Sequence, residues 1–187
     1  MQCLKVENKS VKNLTIARSN AVFKTPWFDL VEKFTGEGTA PHYSINTSDY
    51  VSVFAVTSEG GFPLVRQFRP AVEQETLELP SGHVDQGETP EQAARKELLE
   101  ETGFTAKELI HVGTLSPDTG RLCNRMWCFF APNVNRAPGA AFEAESGVEP
   151  LVYEKNLRNL LLAEPAFCSA LNRAAILMAV AGGYIEL

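Results

Sequence analysis

Long apolar runs are missing from this chain of 187 residues. None approaches the roughly 18 consecutive apolar residues of a membrane-spanning helix, so no membrane partner is expected. The N-terminal stretch MQCLKVENKSVKN is polar and holds no apolar core of the kind a secretory signal carries. Cysteine is scarce. Cys3, Cys123, Cys128 and Cys168 form no C-x-x-C pair and show no zinc-ligand spacing, which points to reduced thiols in a cytoplasmic protein. Positive charge is the minority sign: 17 Lys and Arg stand against 23 Asp and Glu, a net charge of −6. A bulk nucleic-acid binder needs a basic face, so no nucleic-acid partner is expected. The same balance repels a polyphosphate unless metal ions and local arginines reverse the field around it. Internal repeats and low-complexity tracts are also missing.

What is there suits one domain with an appended segment. The 44% hydrophobic content is ample for a core. Residues 1–48 read as short strands, Leu4 to Val6, Leu14 to Arg18 and Trp27 to Phe34, with turns at Ser19-Asn20 and Gly36-Glu37-Gly38. Residues 49–187 read as the main domain. Tyr50 to Val56 is apolar on both faces, as a central strand is. Ser58 to Gly61 reads as a hairpin turn into a strand from Phe62 to Arg69. Thr76 to Leu79, Leu109 to Gly113, Met126 to Ala131 and Val148 to Tyr153 read as further strands, and Asn133 to Gly147 as a loop. Two helical stretches follow, Glu154 to Leu162 and Pro165 to Ala181. In the second, Leu171, Ala174, Ala175 and Met178 recur at helical spacing and are expected to pack. Strands alternating with helices, with one antiparallel hairpin, imply a mixed sheet between helices, an α/β fold.

The most specific stretch is GHVDQGETPEQAARKELLEETGF, Gly82 to Phe104. Thr89 and Gln92 can form a capping box, Pro90 suits the first helical position, and Gly103 suits the left-handed stop. At about 100° per residue, Glu97, Glu100 and Glu101 fall within an arc of roughly 100°. Leu99 falls on the far side and is the expected core anchor. Three like charges so close need compensation, and a hard cation with oxygen ligands is the natural candidate.

This stretch resembles the Nudix box, G-x5-E-x7-R-E-U-x-E-E-x-G-U, where U is apolar. Gly82, Glu88, Glu97, Leu98, Glu100, Glu101, Gly103 and Phe104 match it; Lys96 stands where the family has arginine, keeping the charge without the planar fork. The resemblance implies an α/β/α sandwich with a mixed sheet, plus an N-terminal antiparallel strand segment. Leu77-Glu78-Leu79-Pro80-Ser81-Gly82, Arg66-Gln67-Phe68-Arg69 and Ser116-Pro117 further resemble the ADP-ribose and nucleoside-diphosphate-sugar pyrophosphatase branch.

Carried over, the resemblance makes Glu97, Glu100 and Glu101 the catalytic carboxylates. They and the Ser81 carbonyl would bind Mg2+, or alternatively Mn2+. Arg69 would hold a substrate phosphate, with a surface salt bridge as the other reading of that residue. Glu78 would lie beside the metal site or be a paired structural carboxylate. Glu88 would orient the loop, and His83 is a loop residue rather than a base. Asn124 stands where the branch often has a glutamate, which leaves Asp118, Glu143, Glu145, a box glutamate or metal-activated water as candidates for the base.

The implied activity is Mg2+-dependent cleavage of the pyrophosphate bond of a small nucleotide, ADP-ribose or an ADP-sugar first. The products would be a nucleoside monophosphate and a sugar phosphate. A nucleoside triphosphate pyrophosphohydrolase and a non-catalytic nucleotide-sensing module are the alternatives. A homodimer is expected, with the segment Trp27 to Tyr43 helping to build the partner's pocket. Trp27 or Phe28 would stack on the base there, or the rings would only cover their own sheet.

Overall fold

A computed structural model of the chain describes residues 14–138 and 146–187. In chain order the elements are β1 (Arg18–Lys24), β2 (Asp29–Phe34), β3 (His42–Asn46), β4 (Tyr50–Thr57), β5 (Phe62–Arg69), β6 (Gln74–Glu78), β7 (Ser81–His83), α1 (Pro90–Thr102), β8 (Phe104–Thr105), β9 (Ile110–Leu115), β10 (Met126–Arg136), β11 (Val148–Tyr153), α2 (Leu157–Ala163) and α3 (Ala170–Ala181). The strand expected at Leu4 to Val6, along with Cys3, Glu143 and Glu145, lies outside the described residues.

Alternation along two central strands sets the layering. β4 and β10 pair in parallel, Val51 to Trp127 and Phe54 to Phe130. Val51, Val53 and Ala55 of β4, with Phe129 and Ala131 of β10, join Ala93, Ala94 and Leu98 of α1 in one core. Phe54, Met126, Cys128 and Phe130 point the other way, into a second core with Leu157, Leu160, Ala175, Ile176 and Ala179 of α2 and α3. A strand apolar on both faces needs a cover on each side, and α1 and α3 supply them. The result is the expected α/β/α sandwich with mixed strand directions. β7, β4, β10 and β8 run side by side with β9 on β10, while β11, β5 and β6 form a separate antiparallel sheet.

The N-terminal strands form their own antiparallel sheet, β1-β2-β3. Its edge strand β3 is tied to the loop before β10: the Ile45 N–H donates to Arg121 O at 2.7 Å and the Cys123 N–H to Ile45 O at 3.1 Å. Lys33 Nζ lies 2.9 Å from Cys123 Sγ across the same seam.

Several expectations need correction. Ser19-Asn20 is not a turn but lies within β1, opposite Lys33 and Glu32. The chain turns at Thr25–Phe28, where Thr25 Oγ1 accepts the N–H groups of Trp27 and Phe28. A side-chain acceptor closing a turn two or three residues on outcompetes the weaker signal of Ser-Asn. β3 was not anticipated. Ser58 to Gly61 does turn, with the Thr57 N–H donating to Gly61 O at 2.9 Å, but β4 and β5 do not pair as a hairpin; the turn carries the chain from one sheet to the other.

In the tail, α3 begins after Ser169, which caps the Asn172 N–H, so Pro165 belongs to the connection and not to the helix start. Its buried stripe is Asn172, Ala175, Ile176 and Ala179, with Leu171 and Met178 partly buried beside it. Among the described residues no helix is long and apolar enough to cross a membrane.

Leu99 is the most instructive correction. It is 37% exposed, while Leu98 is fully buried. The core-facing arc of α1 is not opposite the glutamates but overlaps them, with Glu101 buried beside Ala94 in angle. Leu98→Ala should therefore cost about 2–5 kcal/mol, the range for a buried leucine, and Leu99→Ala no more than about 1 kcal/mol. Urea unfolding of both variants checks this; equal losses would return Leu99 to the core.

Candidate active site

The helix that carries the glutamates forms for local reasons. Thr89 and Gln92 exchange hydrogen bonds as a capping box, Pro90 starts the first turn, and Gly103 closes the last at φ 73° with its N–H on Leu99 O. Its acidic face meets the segment that enters β7. The Ser81 N–H donates to Glu101 Oε2 at 2.8 Å. Gly82 is so close to the helix that a Cβ there would sit 2.1 Å from the Glu97 carboxylate. Glycine is required at this point by close approach and not by backbone angle. Glu97 is half-buried, Glu101 buried and Glu100 exposed.

Two carboxylates one turn apart thus close on Ser81 and Gly82. Among the described residues no three His, Cys, Asp or Glu side chains already converge as a metal group. The arrangement fits a hard cation such as Mg2+, which takes one or two protein carboxylates and completes its shell with waters and substrate phosphates. It does not form a ready three-carboxylate cage.

A cavity of about 720 Å³ opens beside this junction, lined by Ser81, Gly82, Glu101, Arg69, Glu78 and residues of α3. Arg69 and Glu78 make a two-pronged pair, Nε to Oε1 at 2.8 Å and Nη2 to Oε2 at 2.6 Å. Thr76 Oγ1 adds a third donor to Glu78 at 2.6 Å. Burial pushes the Glu78 carboxyl up, but the bonds from Arg69 and Thr76 outweigh it and hold its pKa below the usual carboxylate range. The Glu78 bonds raise the Arg69 pKa against its own desolvation, and the field of Glu101 adds to them. Of the alternatives for these residues, the pair is present, yet it leaves the remaining guanidinium donors available in the cavity wall. Tyr50, also in the wall, is pushed up to about 12 by burial and by Cys128 and Glu78, so it stays a hydroxyl donor.

The other expected residues fall as follows. Asn124 lines the cavity and is 6% exposed. Its Nδ2 donates to Ser48 O at 3.0 Å, which turns Oδ1 the other way, buried and without a partner among the described residues. Asp118 is engaged in its own turn through the Gly120 N–H at 2.7 Å and does not line the cavity. Glu88 accepts the Asp85 N–H at 3.3 Å, the loop-orienting role expected of it. Lys96 binds Asp85 at 3.1 Å rather than a box glutamate. His83 is an exposed member of the wall. Trp27 and Phe28, 76% and 39% exposed, do not line the cavity of their own chain.

Tyr50, Ser169 and Asn172 are among the wall residues that were not singled out from the sequence. The signal for Asn172 was present: an amide at a buried position of an otherwise apolar helical stripe.

A glutamate-faced helix closed on a glycine strand, within a mixed-sheet α/β/α sandwich, defines the class of site. The NUDIX domain family model matches residues 47–149, and the chain belongs to the Nudix family. It is 38% identical over 108 residues to an ADP-ribose pyrophosphatase of Bacillus subtilis, covering 56% of this chain and 57% of the relative. Over 41 residues it is 54% identical to an ADP-sugar pyrophosphatase of Mus musculus, covering 22% of this chain and 19% of that one. The chain spans about half the length of the curated relatives it matches first. A solved structure described as an ADP compounds hydrolase shares the fold with a TM-score of 0.73 at 21% identity, over 92% of this chain and 96% of that one.

Gly82→Ala separates site from fold. The atom in the way is the far end of a flexible glutamate, so the variant should fold with a melting temperature near that of the wild type. The displaced Glu97 carboxylate should weaken Mn2+ binding, read by electron paramagnetic resonance, by about tenfold or more. Unchanged Mn2+ affinity would remove Glu97 from the site.

Proposed function

We propose that the chain is a Mg2+-dependent pyrophosphohydrolase acting on a nucleoside diphosphate joined to another moiety, ADP-ribose or an ADP-sugar first. Mn2+ is the alternative ion. The observation that carries this reading is the closure of the Glu97 and Glu101 face on Ser81 and Gly82, with Ser81, Gly82 and Glu101 in the cavity wall. The names of the relatives, ADP-ribose pyrophosphatase and ADP-sugar pyrophosphatase, support the choice of substrate.

In this reading Glu97, Glu101 and the Ser81 carbonyl hold the ion, and Glu100 assists from the exposed edge of the arc. When bound, the ion polarises the phosphate and makes water a better nucleophile at neutral pH. The protein's own part is to fix charges before the substrate arrives. Glu101 is oriented by the Ser81 N–H, and Arg69 is oriented by Glu78 so that its free donors meet a phosphate oxygen. Water oxygen bonds to one phosphorus, the bridging P–O bond breaks, and the released proton goes to a carboxylate of the same helix face. Asn124 cannot take that proton. Cys123, Cys128 and Cys168 stand as free thiols, which supports a cytoplasmic setting.

Nucleoside monophosphate plus sugar phosphate is the expected product pair from ADP-ribose and Mg2+. Pyrophosphate release from a triphosphate would favour the house-cleaning alternative, and no product from either would favour the sensing one. Glu101→Gln should fold and lose roughly 10²-fold or more in kcat, several kcal/mol of transition-state stabilisation. A variant that keeps more than about a tenth of wild-type kcat at saturating Mg2+ would strip Glu101 of its role.

We also infer a homodimer in which the segment Trp27 to Tyr43 reaches the partner's cavity. Support comes from the exposed rings of Phe23, Trp27, Phe28 and Tyr43 on a small sheet whose own chain does not cover them. Sedimentation at micromolar concentration should give a dimer, and Trp27→Ala should raise KM or weaken the dimer by more than about twofold. A monomer sinks the assembly, and an unaffected Trp27→Ala sinks the role of that ring.

A further inference from the structure

Asn172 is 5% exposed, on the buried stripe of α3, outside the stretch that the family model matches. Its Oδ1 accepts the Leu79 N–H at 3.2 Å. The Leu77 N–H, which leaves the same edge of the strand, donates to Ala166 O at 2.8 Å. On its other edge β6 pairs with β5, so the C-terminal segment takes the place of a neighbouring strand, with the amide of Asn172 supplying the last carbonyl of that ladder. An N–H can only meet the oxygen of an amide, so the orientation of Asn172 is fixed and Nδ2 is left with two donors. Among the described residues nothing accepts from Nδ2, and Asn172 forms part of the cavity wall.

Nδ2 has no acceptor among those residues and is not among the fully buried atoms, so it keeps some surface and a ligand in the cavity can meet it. Asn124 is a second amide of the wall, with its own Oδ1 buried. Tyr50, Gln67 and Ser169 add further neutral polar groups to the wall. The charged groups of the wall include Glu101 and the Arg69–Glu78 pair, the latter already joined to each other. Leu79 is two residues from Ser81, about 7 Å of extended backbone, and Ser81 is the residue bound to Glu101. A phosphate with part of an attached ring spans a comparable distance. Neutral donors and acceptors at that remove suit hydroxyl groups better than they suit phosphates or a stacked base.

We propose that Asn172 is a specificity-determining residue: with Oδ1 locked on Leu79, its Nδ2 donates to an oxygen of the polyhydroxylated moiety on the far side of the pyrophosphate. This rests on the reading of the chain as a pyrophosphohydrolase of nucleotide sugars. The C-terminal helix therefore reads the sugar, while α1 serves the pyrophosphate.

The test compares ADP-ribose with adenosine diphosphate carrying a propyl ester on its β-phosphate, which keeps the pyrophosphate and lacks the sugar hydroxyls. Wild type should prefer ADP-ribose by about tenfold or more in kcat/KM, through KM. Asn172→Ala should reduce that preference to about threefold or less. Asn172→Asp, which keeps an oxygen for the Leu79 N–H and removes both donors, should do the same, and it carries the test if the alanine variant does not fold. A wild type indifferent to the two compounds, or variants with the preference intact, overturns the proposal and leaves the hydrolase reading standing. If wild type hydrolyses neither compound, the hydrolase reading falls. The same comparison by calorimetric binding without added metal then decides: tighter binding of ADP-ribose that depends on Asn172 supports the proposal, and equal or undetectable binding overturns it.

Discussion

The junction on which the site depends is the approach of α1 to the strand entering β7, closed by the Ser81 N–H on Glu101 and permitted by the bare Cα of Gly82. A buried carboxylate needs hydrogen bonds to remain charged, and a backbone N–H is a donor that cannot rotate away. The strand is in turn fixed to β4, so the acidic face is registered against the central sheet. The position of the cavity follows, because Ser81, Gly82 and Glu101 all line it.

Much of this was legible in the sequence because it was written in local chemistry. Thr89, Pro90, Gln92 and Gly103 specify both ends of α1, and each behaves as the residue types require. Tyr50 to Val56 read as a central strand because both of its faces are apolar, and β4 covers it. What was not legible depended on which way a helix face turns. The arc of Glu97, Glu100 and Glu101 suggested a core on the opposite side. The helix instead buries Leu98 and Glu101 together, since a site of this kind has to lie against the fold. The seam between β3 and the loop before β10 was beyond reach for a different reason: its ladder is made by backbone groups, which carry no residue signature, and its Lys33–Cys123 contact joins residues 90 apart in sequence.

Arg69 and Glu78 show how a residue's structural and functional readings can coincide. The sequence offered a phosphate contact or a salt bridge for the arginine, and a neighbour of the metal site or a paired carboxylate for the glutamate. The bidentate pair is there, and it is also what aims the guanidinium at the cavity. A paired arginine in a partly buried wall is preorganised; a free one on the surface would have to lose rotamer freedom on meeting its ligand.

The cavity wall is gathered from distant parts of the chain. Asn124 is held by Ser48, and Asn172 holds Leu79. Contacts of such large sequence separation close only after the intervening chain has been organised, because each bears the entropy of a long loop. The pairing of β4 with β10, Tyr50 to Met126, is as distant, whereas α1 forms from near neighbours. The cavity wall therefore forms no earlier than the central sheet, and a chain that has folded only its first helix has no cavity.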